Sequence, residues 1–196
     1  MTRDDWVAEQ SRGFASLLGR RVESWVGVEM ALRENGTGGG PRFSDPEVPC
    51  LQLFGLQASL EDDGALSVTT YQDGTEFGLS ACLEARFPAD GEWDGIYRWR
   101  PLTELPLGRV GQVTVFSDEG VLAEVCLWIG ARPLLLIAGE LDETLDGGLL
   151  FHRLDESVLA FTDSGAAEQV PWTTSRRGLV RIDHGGEDVF SRESEW

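Results

Sequence analysis

The side chains that most often serve as nucleophile and base are scarce in this chain, which has two histidines and three cysteines among 196 residues. His152 alternates away from Leu149 and Phe151, which places it on the opposite face of a strand, toward solvent. His184 stands beside two glycines in a polar tail. No nucleophile motif accompanies either, so the expectation is a protein without catalytic activity. Cys50, Cys82 and Cys126 are far apart and each lies in or beside an apolar run, the pattern of buried free thiols rather than of a disulfide or a metal site. No cofactor or metal is expected.

Carboxylates are abundant, and three groups of them invite a binding role. The segment 90–95, DGEWDG, has the acidic spacing and sixth-position glycine of a calcium loop. Its twelfth position is Pro101 rather than a bidentate glutamate, so it reads as an acidic turn. Glu61, Asp62 and Asp63 form one acidic turn, and Asp142, Glu143 and Asp146 form another. If both project from one edge, they make a negative surface suited to a basic protein face. Tyr97 and Trp99 share one face of an aromatic–arginine ribbon whose other face carries Arg98 and Arg100. Residues of these types dominate interface hot spots. The favoured reading is quieter: the two rings seal a junction while both arginines pair with nearby acids.

The elements that must position these groups are mostly strands. Residues 2–18 read as a helix capped by Thr2 and stopped by Gly19, with Trp6, Phe14, Leu17 and Leu18 available for its buried stripe. A long strand follows from Arg20, then a Gly/Pro-rich loop over 35–49 without the Gly-Lys-Ser/Thr of a phosphate cradle. Strands are expected at 50–56, 65–71 and 76–82, turning at Asp63-Gly64 and Asp73-Gly74. In the second half they are expected at 109–116 and 121–129, the latter with Glu124 on its polar face. The stretch 133–161 reads as three more, namely Leu134–Ala138, apolar enough to be buried on both faces, then Leu149–Leu154 and Val158–Phe161. A short helix near 165–170 and a strand at 178–182 complete the pattern.

Three stretches of the halves resemble each other. SLLGRRV (16–22) matches ELPLGRV (104–110), LFGLQASLEDDGALSV (53–68) matches LIAGELDETLDGGLLF (136–151), turn over turn, and YQDGTEFGL (71–79) matches LDESVLAF (154–161) after a one-residue slip. The expected organisation is therefore mainly β and antiparallel: an N-terminal helix (1–19), a first lobe (20–83), a linker (84–103), a pseudo-repeated second lobe (104–163) and a C-terminal extension (164–196).

The net charge is −18, and all sixteen basic residues are arginine. Such a surface repels nucleic acid and anionic membranes, whose phosphates need a basic face. There is no apolar run of membrane-spanning length and no secretion-type leader, which points to the cytoplasm. In size, charge and β-rich form the chain is similar to small acidic bacterial immunity proteins. The expected function is a non-catalytic acidic module binding a basic protein, as an inhibitor or immunity-type protein does. The alternative is a small-molecule-binding or regulatory domain with its ligand between the lobes.

Overall fold

The computed structural model of the chain describes residues 3–36, 39–83 and 95–182. Helix α1 (Arg3–Ala15) is followed by β1 (Arg21–Met30), a small hairpin of β2 (Arg33–Gly36) and β3 (Gly40–Arg42), and then β4 (Leu51–Leu60), β5 (Ala65–Asp73) and β6 (Glu76–Leu83). The second half contains β7 (Tyr97–Pro101), β8 (Gly108–Asp118), β9 (Val121–Ile129), β10 (Arg132–Glu143) and β11 (Leu149–Phe161). Helix α2 (Ser164–Gln169) and β12 (Val180–Ile182) come last. The fold is mainly β, with antiparallel ladders and an N-terminal helix.

Six strands close into a ring in the order β1, β4, β11, β10, β9, β8 and back to β1. Two short seams complete it. Leu51–Leu53 of β4 pairs with Val158–Ala160 of β11, and Arg21-Val22 of β1 pairs with Gly108-Arg109 of β8. Closure satisfies backbone groups that an open meander leaves exposed at its edges. The halves therefore do not form separate lobes. Leu53, Leu56 and Trp25 from the first half pack in one core with Val125, Leu136 and Val158 from the second. SLLGRRV and ELPLGRV meet each other at the β1–β8 seam. The stretches 53–68 and 136–151 are both hairpins, β4–β5 and β10–β11, in different places in the sheet, whereas 71–79 spans the β5–β6 turn and 154–161 lies within β11.

β10 is buried on both faces, as its apolar run requires. Leu134, Leu136 and Ala138 face the ring interior, while Leu135, Ile137 and Leu141 face a second cluster with Phe151, Phe161 and Ala167. The hairpin β5–β6 branches from β4 and lies against β9 and β11. Helix α1 covers β6, with Phe14 and Leu17 fully buried and Gln10 Oε1 accepting from the Ala81 N–H at 2.8 Å. Leu18 is exposed, because the helix has ended before it and Gly19 turns away with φ +80°.

The expected break at Asp155-Glu156 is not a turn between strands but a bulge within β11. Pairing with β10 steps from Gly139↔Arg153 to Ala138↔Val158, so Leu154, Asp155, Glu156 and Ser157 have no partner across β10. Leu154 adopts φ +56°, and the Thr70 hydroxyl donates to the Glu156 carbonyl. Acidic residues at positions 155 and 156 read as a turn because local chemistry is the same for a turn and a bulge. Only the two neighbouring strands decide between them.

At the same step, a Cβ on Gly139 would overlap the His152 carbonyl oxygen, a backbone atom unable to swing aside. Gly139→Ala is expected to lower stability by about 1–3 kcal/mol, the usual cost of overpacking, measured by chemical denaturation. Gly74→Ala, at an open turn with φ +67°, is expected to cost about 1 kcal/mol from the backbone conformation alone.

Candidate functional site: an acidic cavity beside the bulge

Two long-range carboxylate–arginine clusters stiffen the outer side of the sheet. Glu29 on β1 is 1% exposed and accepts from Arg98 Nε at 2.6 Å and from Arg100 Nε at 2.8 Å. Arg100 also bonds Glu104 at 2.5 Å, and the Glu104 and Glu29 carboxylates together raise the pKa of its guanidinium. Glu124 on β9 is likewise 1% exposed, contrary to its expected place on a solvent face. It accepts from Arg176 at 2.6 and 2.9 Å, and Arg153 approaches it to 3.5 Å. Arg153 in turn lies 2.9 Å from Asp118. A carboxylate so desolvated persists only when its partners are close, which makes these groups structural cross-links.

The ribbon residues divide accordingly. Arg98 and Arg100 pair with acids, as the quieter reading expected, and Arg98 also lies 4.2 Å over the Phe43 ring. Trp99, opposite Val28, and Tyr97, opposite Met30, are half-buried on β7. Tyr97 stacks edge-on to Phe54 at 5.8 Å. Burial, with Glu156, Glu140 and Glu34 nearby, raises the pKa of its phenol.

The two acidic turns lie at opposite ends of β1. At one end the Glu61 N–H donates to the Arg21 carbonyl at 3.1 Å, and Asp62 accepts from Arg20 at 2.5 Å. Asp63 takes the left-handed conformation, φ +59°, that the Asp-Gly turn requires. At the other end Arg33 donates to Glu143 at 2.8 Å and to the Gly147 carbonyl at 2.6 Å. Ten strand residues separate the ends, roughly 30 Å, so the turns do not share a surface. Several of their acids already have partners. The Arg20 hydrogen bond lowers the pKa of Asp62, and the Thr144 hydroxyl lowers that of Asp146.

One end nevertheless carries a site. A cavity of about 550 Å³ opens where β10, Gln52 of β4 and the start of β2 converge, lined by Glu34, Glu140, Asp142 and Glu143 with Ile96 at its edge. None of the described lining residues is basic. Gln52 is buried and fixes the floor: its Oε1 accepts from the Leu141 N–H at 2.6 Å. Glu140 is the unusual member. Burial, and the charges of Asp155, Glu156 and Asp142, push its carboxyl up to about 7. Asp155 and Glu156 belong to the β11 bulge, so the bulge itself creates this environment. His152, paired with Glu140 across the ladder, places Nε2 3.5 Å from Asp142 and Nδ1 3.3 Å from the Thr173 hydroxyl.

Of the expected binding residues, Asp142 and Glu143 line this cavity and Tyr97 lies within its field, while Glu61, Asp62 and Asp63 are remote. Trp99 does not line it, and Asp146 is held within its own turn. Glu140 and Glu34 were missed. The signal for Glu140 was an acid continuing the buried run LLLIAGEL. The calcium-like spacing at 90–94 and His184 lie outside the described residues. Cys50 is buried, its thiol pushed up to about 12, whereas Cys82 is exposed near the C-terminal end of β6, contrary to its expected burial. Among the described residues no helix is long and apolar enough to cross a membrane. No protein-family model, curated protein or solved structure matches the chain.

The raised Glu140 carboxyl has a thermodynamic sign. Between about pH 4.5 and 7 the folded protein retains a proton that the unfolded chain has released, so this group makes stability fall as pH rises through that window. Glu140→Gln is therefore expected to stabilise the protein at pH 8 by roughly 1–2 kcal/mol, allowing for solvent screening of a half-buried group. The gain should vanish at pH 4. Denaturation curves of both proteins at the two pH values test it.

Proposed function

We propose that this protein is a non-catalytic binding module that captures a basic protein, in the manner of an inhibitor or immunity-type protein, with the acidic cavity as its contact. The observation that carries the reading is the cavity lining: among the described residues, four carboxylates and no basic side chain around about 550 Å³. A guanidinium or ammonium group entering there meets Asp142 and Glu34 beside the Arg33-bonded Glu143, and Glu140 releases its proton to solvent, because an adjacent cation favours the charged form of a carboxyl. The ion pairs gain strength from the recess, and the chain's charge of −18 steers a basic partner toward it.

A short oligo-arginine peptide serves as probe, with binding followed by calorimetry across a salt series. Affinity is expected to fall as salt rises. Glu140→Gln combined with Asp142→Asn is expected to weaken binding about tenfold, each lost charge pair contributing on the order of 1 kcal/mol. The same double neutralisation at Glu61 and Asp63, at the far end of β1, should leave it within about twofold. Equal losses in both variants would mean that net charge alone attracts the peptide, and would overturn the proposal.

A further inference from the structure

A second recess lies on the outer face of β8, β9 and β10, away from the acidic cavity. Its floor is built from cross-strand rungs. Gln112, Trp128 and Pro133 form one, and Thr114, Cys126 and Leu135 the next. Phe116 and Glu124 begin a third. The inward neighbours of these residues, among them Val115, Val125 and Leu134, fill the ring core, so strand alternation leaves this outer set available. Helix α2, which packs on β10 and β11, bounds the floor on one side through Ser164 and Glu168. The chain leading into β12, which pairs with β8, bounds it on the other through Arg176, Leu179 and Arg181. The enclosed volume is about 460 Å³, within the range of small-molecule sites.

We propose that this recess binds an uncharged, planar aromatic small molecule stacked on Trp128. Two acids, Glu124 and Glu168, and two bases, Arg176 and Arg181, line it, so it selects neither sign of charge. Glu124 is already held by two bonds from Arg176. The rest of the floor is apolar or neutral, and Trp128 is 41% exposed, a large ring left uncovered beside Pro133. Three strands span two inter-strand spacings, roughly 10 Å, which is the width of two fused rings. Gln112, whose amide donates to the Thr114 hydroxyl at 3.3 Å, offers one polar edge group for orientation. Two walls make the floor a recess rather than a flat sheet face, which favours a small ligand over a second copy of the chain. Burial and the adjacent Glu124 raise the pKa of the Cys126 thiol, which keeps it protonated and a weak nucleophile.

This inference is independent of the acidic cavity, and one experiment separates them. The uncharged fluorophore N-phenyl-1-naphthylamine, titrated into the full chain, is expected to bind saturably at one site with rising emission. Trp128→Ala should weaken it roughly tenfold by removing the stacking face, and Thr114→Trp should block it by filling the floor. Glu140→Gln with Asp142→Asn should leave it unchanged. Circular dichroism confirms that the variants fold, and Trp128→Ala alone decides if Thr114→Trp does not. Absence of saturable binding overturns the proposal, as does binding indifferent to Trp128→Ala or lost on neutralising the acidic cavity. A dimer in sedimentation that Trp128→Ala dissociates would show that a second copy fills the recess, and overturns it equally.

Discussion

The step in register between β10 and β11, from Gly139↔Arg153 to Ala138↔Val158, is the constraint on which the rest of the arrangement depends. Beyond the step β11 lies between β10 and β4, and its pairing with Leu51–Leu53 closes the ring. Before it, β11 follows β10 into the turn at 144–148, with only a bridge from Phe151 to Trp172 on its other side. Because four residues are an even number, side-chain alternation keeps the same faces on both sides of the step, and only the pairing register moves. The register in which β11 meets β4 and closes the ring is therefore set at this local irregularity.

That irregularity also has electrostatic consequences. It brings Asp155 and Glu156 toward Glu140, which is already partly withdrawn from water, and so raises a carboxyl into the neutral range. On the residue just before the bulge, Arg153 turns to Asp118 and the buried Glu124. The acid-rich side of β11 and the cross-linked side that anchors the C-terminal segment are thus set by one feature of the backbone.

The acidic composition acquires meaning only through this placement. Several carboxylates are consumed internally by arginines distant in sequence: Glu29 by Arg98 and Arg100, Asp62 by Arg20, Glu124 by Arg176. Around the cavity, where Arg33 holds Glu143, the described lining adds Glu34, Glu140 and Asp142 with no basic side chain, and there the excess negative charge is concentrated enough to select a partner. The recess over Trp128 shows the complementary case, where equal numbers of acids and bases leave shape and aromatic area to determine recognition.

The sequence by itself determined what depends on periodicity and local turn chemistry. The apolar run Leu134–Ala138 is a strand buried on both faces because no other placement hides every side chain of it. Asp63-Gly64 and Asp73-Gly74 turn where their backbone freedom allows, and α1 ends before Gly19. Tertiary structure alone decided which edges meet. Two matched segments that read as copies at the head of two lobes instead pair with each other, because an exposed strand edge is satisfied as well by a distant strand as by a near one. The same holds for charge. Asp142 and Glu61 are alike as turn acids, and only the roughly 30 Å of β1 between their turns placed one in a cavity and left the other apart from it.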